Sequence, residues 1–69
     1  MRKVVTHAEI LSGKPHIVGT HITVASIIGR IAKGMSIKDI SHQLPQLSED
    51  DVVTAIKFAE DLVNKPMQI

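Results

Sequence analysis

The chain has no cysteine, no tryptophan and no tyrosine, and Phe58 is its one aromatic residue. Without cysteine there is no disulfide to brace so short a polypeptide and no thiolate to hold a metal. There is no Gly-rich phosphate loop and no nucleophile beside a placed base, so enzymatic activity is not expected. No stretch approaches the ~18 consecutive apolar residues of a membrane span. The opening MRKVVTHAEI carries two basic residues but no long apolar core, so it is not read as a signal peptide, and a cytoplasmic protein is the default expectation. A basic excess is missing as well: the formal net charge is +1, well short of what a free-standing nucleic-acid binder carries.

What is present is apolar. Hydrophobic residues make up 43% of 69 positions, and much of that is Ile and Val. The length sets one domain, residues 1–69, read as an arm over 1–22 and a helical core over 23–64. Such a chain buries only about 60% of its unfolded surface, and a lone core of this size rarely supplies more than ~3–5 kcal/mol. Self-association or a partner protein is the simplest way to cover the remainder, so a homo-oligomer, a dimer in the first instance, is expected.

Three helices can be read from period and punctuation. The first takes Thr23 as N-cap and starts at Val24, with Val24, Ile27, Ile28 and Ile31 on one face and Ser26, Gly29, Arg30 and Lys33 on the other. Lys33 sits in the last turn, where the helix dipole favours a cation, and Gly34 ends the helix in a left-handed conformation. The second starts at Ser36, with Asp39 three residues on completing a capping box; Ile37, Ile40 and Leu44 line one face and Pro45 stops it. The third repeats that start with Ser48 and Asp51. Its apolar stripe is Val52, Ala55, Ile56, Ala59, Leu62 and Val63, flanked by Val53 and Phe58. Asp50, Thr54, Lys57, Asp61 and Asn64 are left outward, and Pro66 bounds the far end.

The arm is less regular. Arg2 to Thr6 holds two β-branched residues and reads as a short strand. His7 to Leu11 reads as a helical turn ended by Ser12-Gly13. His16-Ile17-Val18 and His21-Ile22-Thr23 are two β-type runs around Gly19-Thr20, which predicts a tight hairpin with Gly19 at φ > 0. Strands this short need a neighbour, and Val4-Val5, from the same or a second chain, is the obvious one. Met67 to Ile69 reads as a frayed tail.

Several of these pieces occur in an order that resembles the bacterial family known as domain of unknown function 433. They are GKPHIVGTHITV over Gly13–Val24, a helix ending in Gly34-Met35-Ser36, and LPQLSEDDVVTAIKFA over Leu44–Ala59. The likeness covers His7 to about Val63. It implies a winged-helix or homeodomain-like three-helix fold and an antitoxin-like role, with a toxin resembling a PIN-type ribonuclease as partner. Two positions depart from the pattern: the Arg after Gly-Thr is His21 here, and the usual Asp-Pro pair is His7-Ala8. If that Arg meets a phosphate or a partner carboxylate, a His makes the contact weaker and pH-dependent.

The fold class expected is therefore mainly α, a three-helix helix-turn-helix domain with a short N-terminal β-hairpin. Two kinds of site follow. For promoter DNA, the candidates are Arg30, Lys33 and Lys38 around the first turn and Thr54 and Lys57 on the recognition helix. The Ser48-Glu49-Asp50-Asp51 start of that helix opposes phosphates with like charge, and the alternative is a solvated helix face. For a dimer or protein partner, the candidates are Val4, Val5, His16, Ile17, Val18, His21 and Ile22, which could offer β-edges to another chain; the alternative is a wing-like hairpin covering the core. His16 and His21 have four residues between them, within metal-ligand spacing, but they lie across a turn with no third ligand. No metal and no cofactor are expected. His42 and His7 read as surface residues. The reading is an antitoxin-like protein that neutralises a small PIN-like nuclease and binds its own promoter DNA; the alternative is a helical assembly domain with no nucleic-acid role.

Overall fold

The protein is described by a computed structural model over residues 2–65. Pro66 as the far boundary of the third helix, and the tail Met67 to Ile69, lie outside the described residues. In chain order the elements are β1 (Val4–Val5), a 3-10 turn at Leu11–Gly13, β2 (His16–Ile17), α1 (Val24–Ala32), α2 (Ile37–Gln43) and α3 (Glu49–Val63). The class is mainly α with a short antiparallel strand pair at the N-terminus, as the sequence pattern predicts.

Each helix begins where its capping chemistry says. Thr23 Oγ1 accepts from the Ser26 N–H at 3.0 Å, and the Val24 N–H, unpartnered within the helix, donates to the Pro15 carbonyl at 3.0 Å. Gly34 adopts φ +94°, which lets the Gly34 and Met35 N–H groups fold back onto the Ile31 and Arg30 carbonyls at 2.9 and 3.1 Å. Ser36 with Asp39 and Ser48 with Asp51 form complete capping boxes at the starts of α2 and α3.

The core is built from one residue of each layer. Ile17 of β2, Ile27 of α1, Ile40 of α2 and Val52 of α3 are fully buried, with Val24, Leu47 and Ala55 around them. Fully burying a side chain of this kind stabilises by roughly 1.5–3 kcal/mol. α3 crosses both other helices and the strand pair.

The arm folds as a two-stranded ribbon with a third segment bridged to its other side. Val4 pairs with Ile17 and Val5 with His16 in antiparallel register, so the neighbour the short strand needed comes from the same chain. On its other side His16 bridges to Thr23, and the Ile17 N–H donates to the Ile22 carbonyl at 3.1 Å. Gly19 takes φ +78° as expected. Thr20, buried, holds this turn together: its hydroxyl donates to the Ile17 carbonyl at 2.8 Å and accepts from the Ile22 N–H at 3.1 Å.

One expectation is corrected, and one helix end lies open. His7 to Leu11 is not a helical turn. The Ile10 N–H donates to the His7 carbonyl at 2.9 Å in a tight turn, and Leu11, Ser12 and Gly13 then run left-handed at φ 53°, 56° and 79°. Five residues are too few to offset helix nucleation, and the chain must reverse here to lay β2 against β1. The end of the α3 stripe is not buried. Leu62 is 56% exposed and Val63 81%. α3 has 15 residues and α1 nine, about 22 and 14 Å at 1.5 Å per residue, and the last turn of α3 extends the apolar pattern past what covers it.

Candidate nucleic-acid and partner interfaces

α2, the turn over residues 44–48 and α3 make the helix-turn-helix. Four contacts fix the turn. The Leu47 N–H donates to the Leu44 carbonyl at 2.9 Å, and the Ser41 hydroxyl donates to the Leu47 carbonyl at 3.2 Å. The Arg2 guanidinium donates through Nη1 to the Gln46 carbonyl at 2.6 Å. The Arg2 backbone N–H reaches Asp51 Oδ1 at 3.0 Å. The N-terminal arm is thus clasped to the start of α3, 49 residues away in sequence.

Asp51 is the hinge of that clasp. Its carboxylate takes the Arg2 N–H on one oxygen and the Ser48 N–H, at 3.0 Å, on the other. Burial by itself pushes the Asp51 carboxyl up; the Arg2 and Ser48 N–H groups, the Ser48 side chain and the Arg2 charge outweigh it, and the net direction is below the ordinary carboxylate range. Asp51 therefore stays ionised and inside, leaving Glu49 and Asp50 as the exposed acids of the first turn.

The five DNA candidates do not form one patch. Thr54 and Lys57 line an open groove of about 550 Å³ between α3 and the arm, together with Arg2, Lys3, Val4, Val53, Phe58 and Asp61. The Thr54 hydroxyl donates to the Asp50 carbonyl at 3.0 Å, so its donor is already engaged along its own helix and only its methyl and lone pairs are left for a base. Arg30 and Lys33 line a separate trough of about 400 Å³ on α1, with Ser26, Gly29, Met35 and Gln43. Lys38 is exposed at the start of α2 and lines neither.

The partner candidates divide too. His16 and Ile17 are buried. Ile17 is in the core, and the His16 Nδ1–H donates to the Lys14 carbonyl at 3.0 Å. Both side chains serve the chain's own interior, because the strand they form lies between β1 and residues 22–23 instead of at an edge. Val4, Val5 and Ile22 are half-buried, and Val4 and Ile22 pack on the core. Val18 and His21 are exposed. His7, where the resemblance expects Asp, still supplies a turn acceptor: its Nδ1 accepts from the Glu9 N–H at 3.3 Å.

One surface escaped the sequence reading. An apolar slot of about 300 Å³ lies between the start of α1 and the end of α3, floored by Ala25, Ile28, Phe58 and Ala59 and flanked by the exposed Leu62 and Val63. The signal was the length mismatch between α3 and α1. Among the described residues no helix is long and apolar enough to cross a membrane, and no group of three or more His, Asp or Glu is arranged to hold a metal ion.

These features define a small helix-turn-helix domain with a clasped N-terminal arm. Residues 4–59 match the family described as a protein of unknown function, DUF433, and the chain belongs to that family. No curated protein and no solved structure matches it.

Proposed function

We propose that this chain is the antitoxin-like half of a toxin–antitoxin pair, a cytoplasmic binding protein and not an enzyme. It neutralises a small PIN-like ribonuclease and binds its own promoter DNA, acting as a homodimer. The observation that carries the reading is the apolar slot beside Leu62 and Val63. A monomeric surface has little reason to leave two adjacent large aliphatic side chains open next to an apolar trough, and an apolar face on the partner nuclease would cover them. The family resemblance in GKPHIVGTHITV and LPQLSEDDVVTAIKFA supplies the kind of partner. The half-covered Val4, Val5 and the exposed Val18 and His21 are left for the second copy.

A second reading is a helical assembly domain with no nucleic-acid role, favoured by the exposed Glu49 and Asp50 at the start of the recognition helix. Co-expression with a small PIN-like nuclease encoded in the adjoining reading frame tests the first. The two proteins should co-purify, RNA cleavage by the nuclease should be suppressed, and Leu62→Asp with Val63→Asp should abolish capture while leaving the helical circular-dichroism spectrum intact. A nuclease that neither co-purifies nor loses activity in excess of this protein ends the antitoxin reading.

A further inference from the structure

We infer that the α1 trough, and not the recognition helix, is where this protein holds the sugar-phosphate backbone of duplex DNA. The inference rests on the promoter-binding part of the proposed function and is independent of toxin capture.

The trough has the chemistry of a phosphate site. Its lining includes two cations, Arg30 and Lys33, and no carboxylate. Arg30 is held in place: Nε donates to Gln43 Oε1 at 2.6 Å, and Nη1 donates to the Ser26 carbonyl at 3.0 Å and to the Ser26 hydroxyl. All three acceptors are neutral, so they orient the guanidinium without cancelling its charge, and none of the three bonds uses Nη2. A pre-oriented, uncompensated guanidinium suits a phosphate oxygen. Ser26 and Gln43 are positioning residues in this arrangement.

Gly29 is the second observation. It sits in the interior of α1, where glycine is among the least favourable residues, and its backbone has ordinary helical geometry. A Cβ placed there would meet nothing within 4 Å. Packing inside the chain therefore does not call for a glycine. A bare backbone between Ser26, Arg30 and Lys33 fits a close approach by something outside the chain.

The shape favours a backbone over a single ion. Ser26 to Lys33 spans about 10 Å along the helix axis, and one strand of B-DNA sets a phosphate about every 3.4 Å along its axis. Met35 is the one large apolar side chain in the lining, too little for insertion into lipid. The groove on α3 also holds cations, Arg2, Lys3 and Lys57, but it sets Asp61 among them, its Arg2 guanidinium is already engaged with the Gln46 carbonyl, and it begins a turn beyond the exposed Glu49 and Asp50.

The test is fluorescence anisotropy at low salt with a labelled duplex from the protein's own upstream region and a scrambled duplex. Lys33→Gln, an exposed position, should weaken both about five- to tenfold and lower the salt slope by about one. Arg30→Gln should do the same, with its melting curve recorded alongside. Gly29→Ala should raise Tm and yet weaken binding. Lys57→Gln should leave affinity unchanged. Binding that survives Arg30→Gln with Lys33→Gln, that Gly29→Ala leaves untouched, or that Lys57→Gln abolishes, overturns the site while sparing promoter binding. Absence of binding to either duplex removes both, without touching co-purification with the nuclease. Competition by inorganic phosphate at the duplex's own phosphate concentration would mark a free-anion site and also overturn the inference.

Discussion

Ser36–Asp39 and Ser48–Asp51 are the same four-residue device in two settings. In each, the serine hydroxyl accepts from the aspartate N–H, at 3.0 and 3.1 Å, and the aspartate accepts from the serine N–H, at 3.2 and 3.0 Å. Locally they are interchangeable. The first stands in solvent at the start of α2. In the second the serine is still exposed but the aspartate is buried, and it also takes the Arg2 N–H. A capping box satisfies helix-end donors wherever it occurs; only burial turns one into a tertiary joint.

The largest expected effect follows from that difference. Asp51→Ala leaves the Ser48 and Arg2 N–H groups without their acceptor in a partly buried place and should cost about 2–3 kcal/mol, a large share of what a chain of this size commands. Urea denaturation measures it. A loss no greater than that of Asp39→Ala would dissolve the distinction between the two boxes.

Next comes acid. The folded Asp51 carboxyl lies below its ordinary range because the Arg2 and Ser48 donors outweigh burial, and Asp39 lies below it through the Ser36 N–H and hydroxyl, aided by the His42 and Lys38 charges. A depressed carboxyl contributes stability that is fully present above the unfolded value, about 3.9, and is lost as pH falls through the folded one. Thermal melts should therefore hold through neutral pH and fall below about pH 4. Replacing either aspartate should flatten that acid limb.

Arg2 separates the two halves of the clasp. Arg2→Ala removes the guanidinium from the Gln46 carbonyl but keeps the backbone N–H, and should cost about 0.5–1 kcal/mol. Arg2→Pro removes the N–H as well and should cost about 1 kcal/mol more. Equal losses would mean that the Asp51 contact adds nothing beyond the local box.

How far the sequence could be read follows the same line. Thr23, Gly34, Ser36 and Ser48 mark their helix ends because caps are decided by residues three or four apart. The strand pairing of Val4 with Ile17 was legible as a need for a neighbour. The clasp was not, since nothing in Arg2 points to a carboxylate 49 positions on. The site was less legible than the fold. Helical spacing put Arg30 and Lys33 on one face, but whether Thr54's hydroxyl was free, whether Gly29 had room for a side chain, and whether the end of α3 was covered all depend on three-dimensional packing. His16 and Ile17 illustrate the converse: a β-type run says that a strand forms, not whether it sits at an edge or in the middle.

The smallest effect is the most discriminating, because it asks how many oxygens each carboxylate uses. Asp39 accepts from Ser36 through Oδ2 alone. Asp39→Asn keeps one carbonyl oxygen for that bond and can turn its amide outward to water, so Tm near neutral pH should scarcely move. Asp51 accepts on both oxygens, Arg2 on Oδ1 and Ser48 on Oδ2. Asp51→Asn must put an NH2 donor against one of two N–H donors, and no rotation of the amide avoids it. The same substitution should thus be nearly silent in one box and plainly destabilising in the other. Two equal, small shifts would mean that the Arg2 N–H is satisfied by water in solution and that the arm is not clasped to α3.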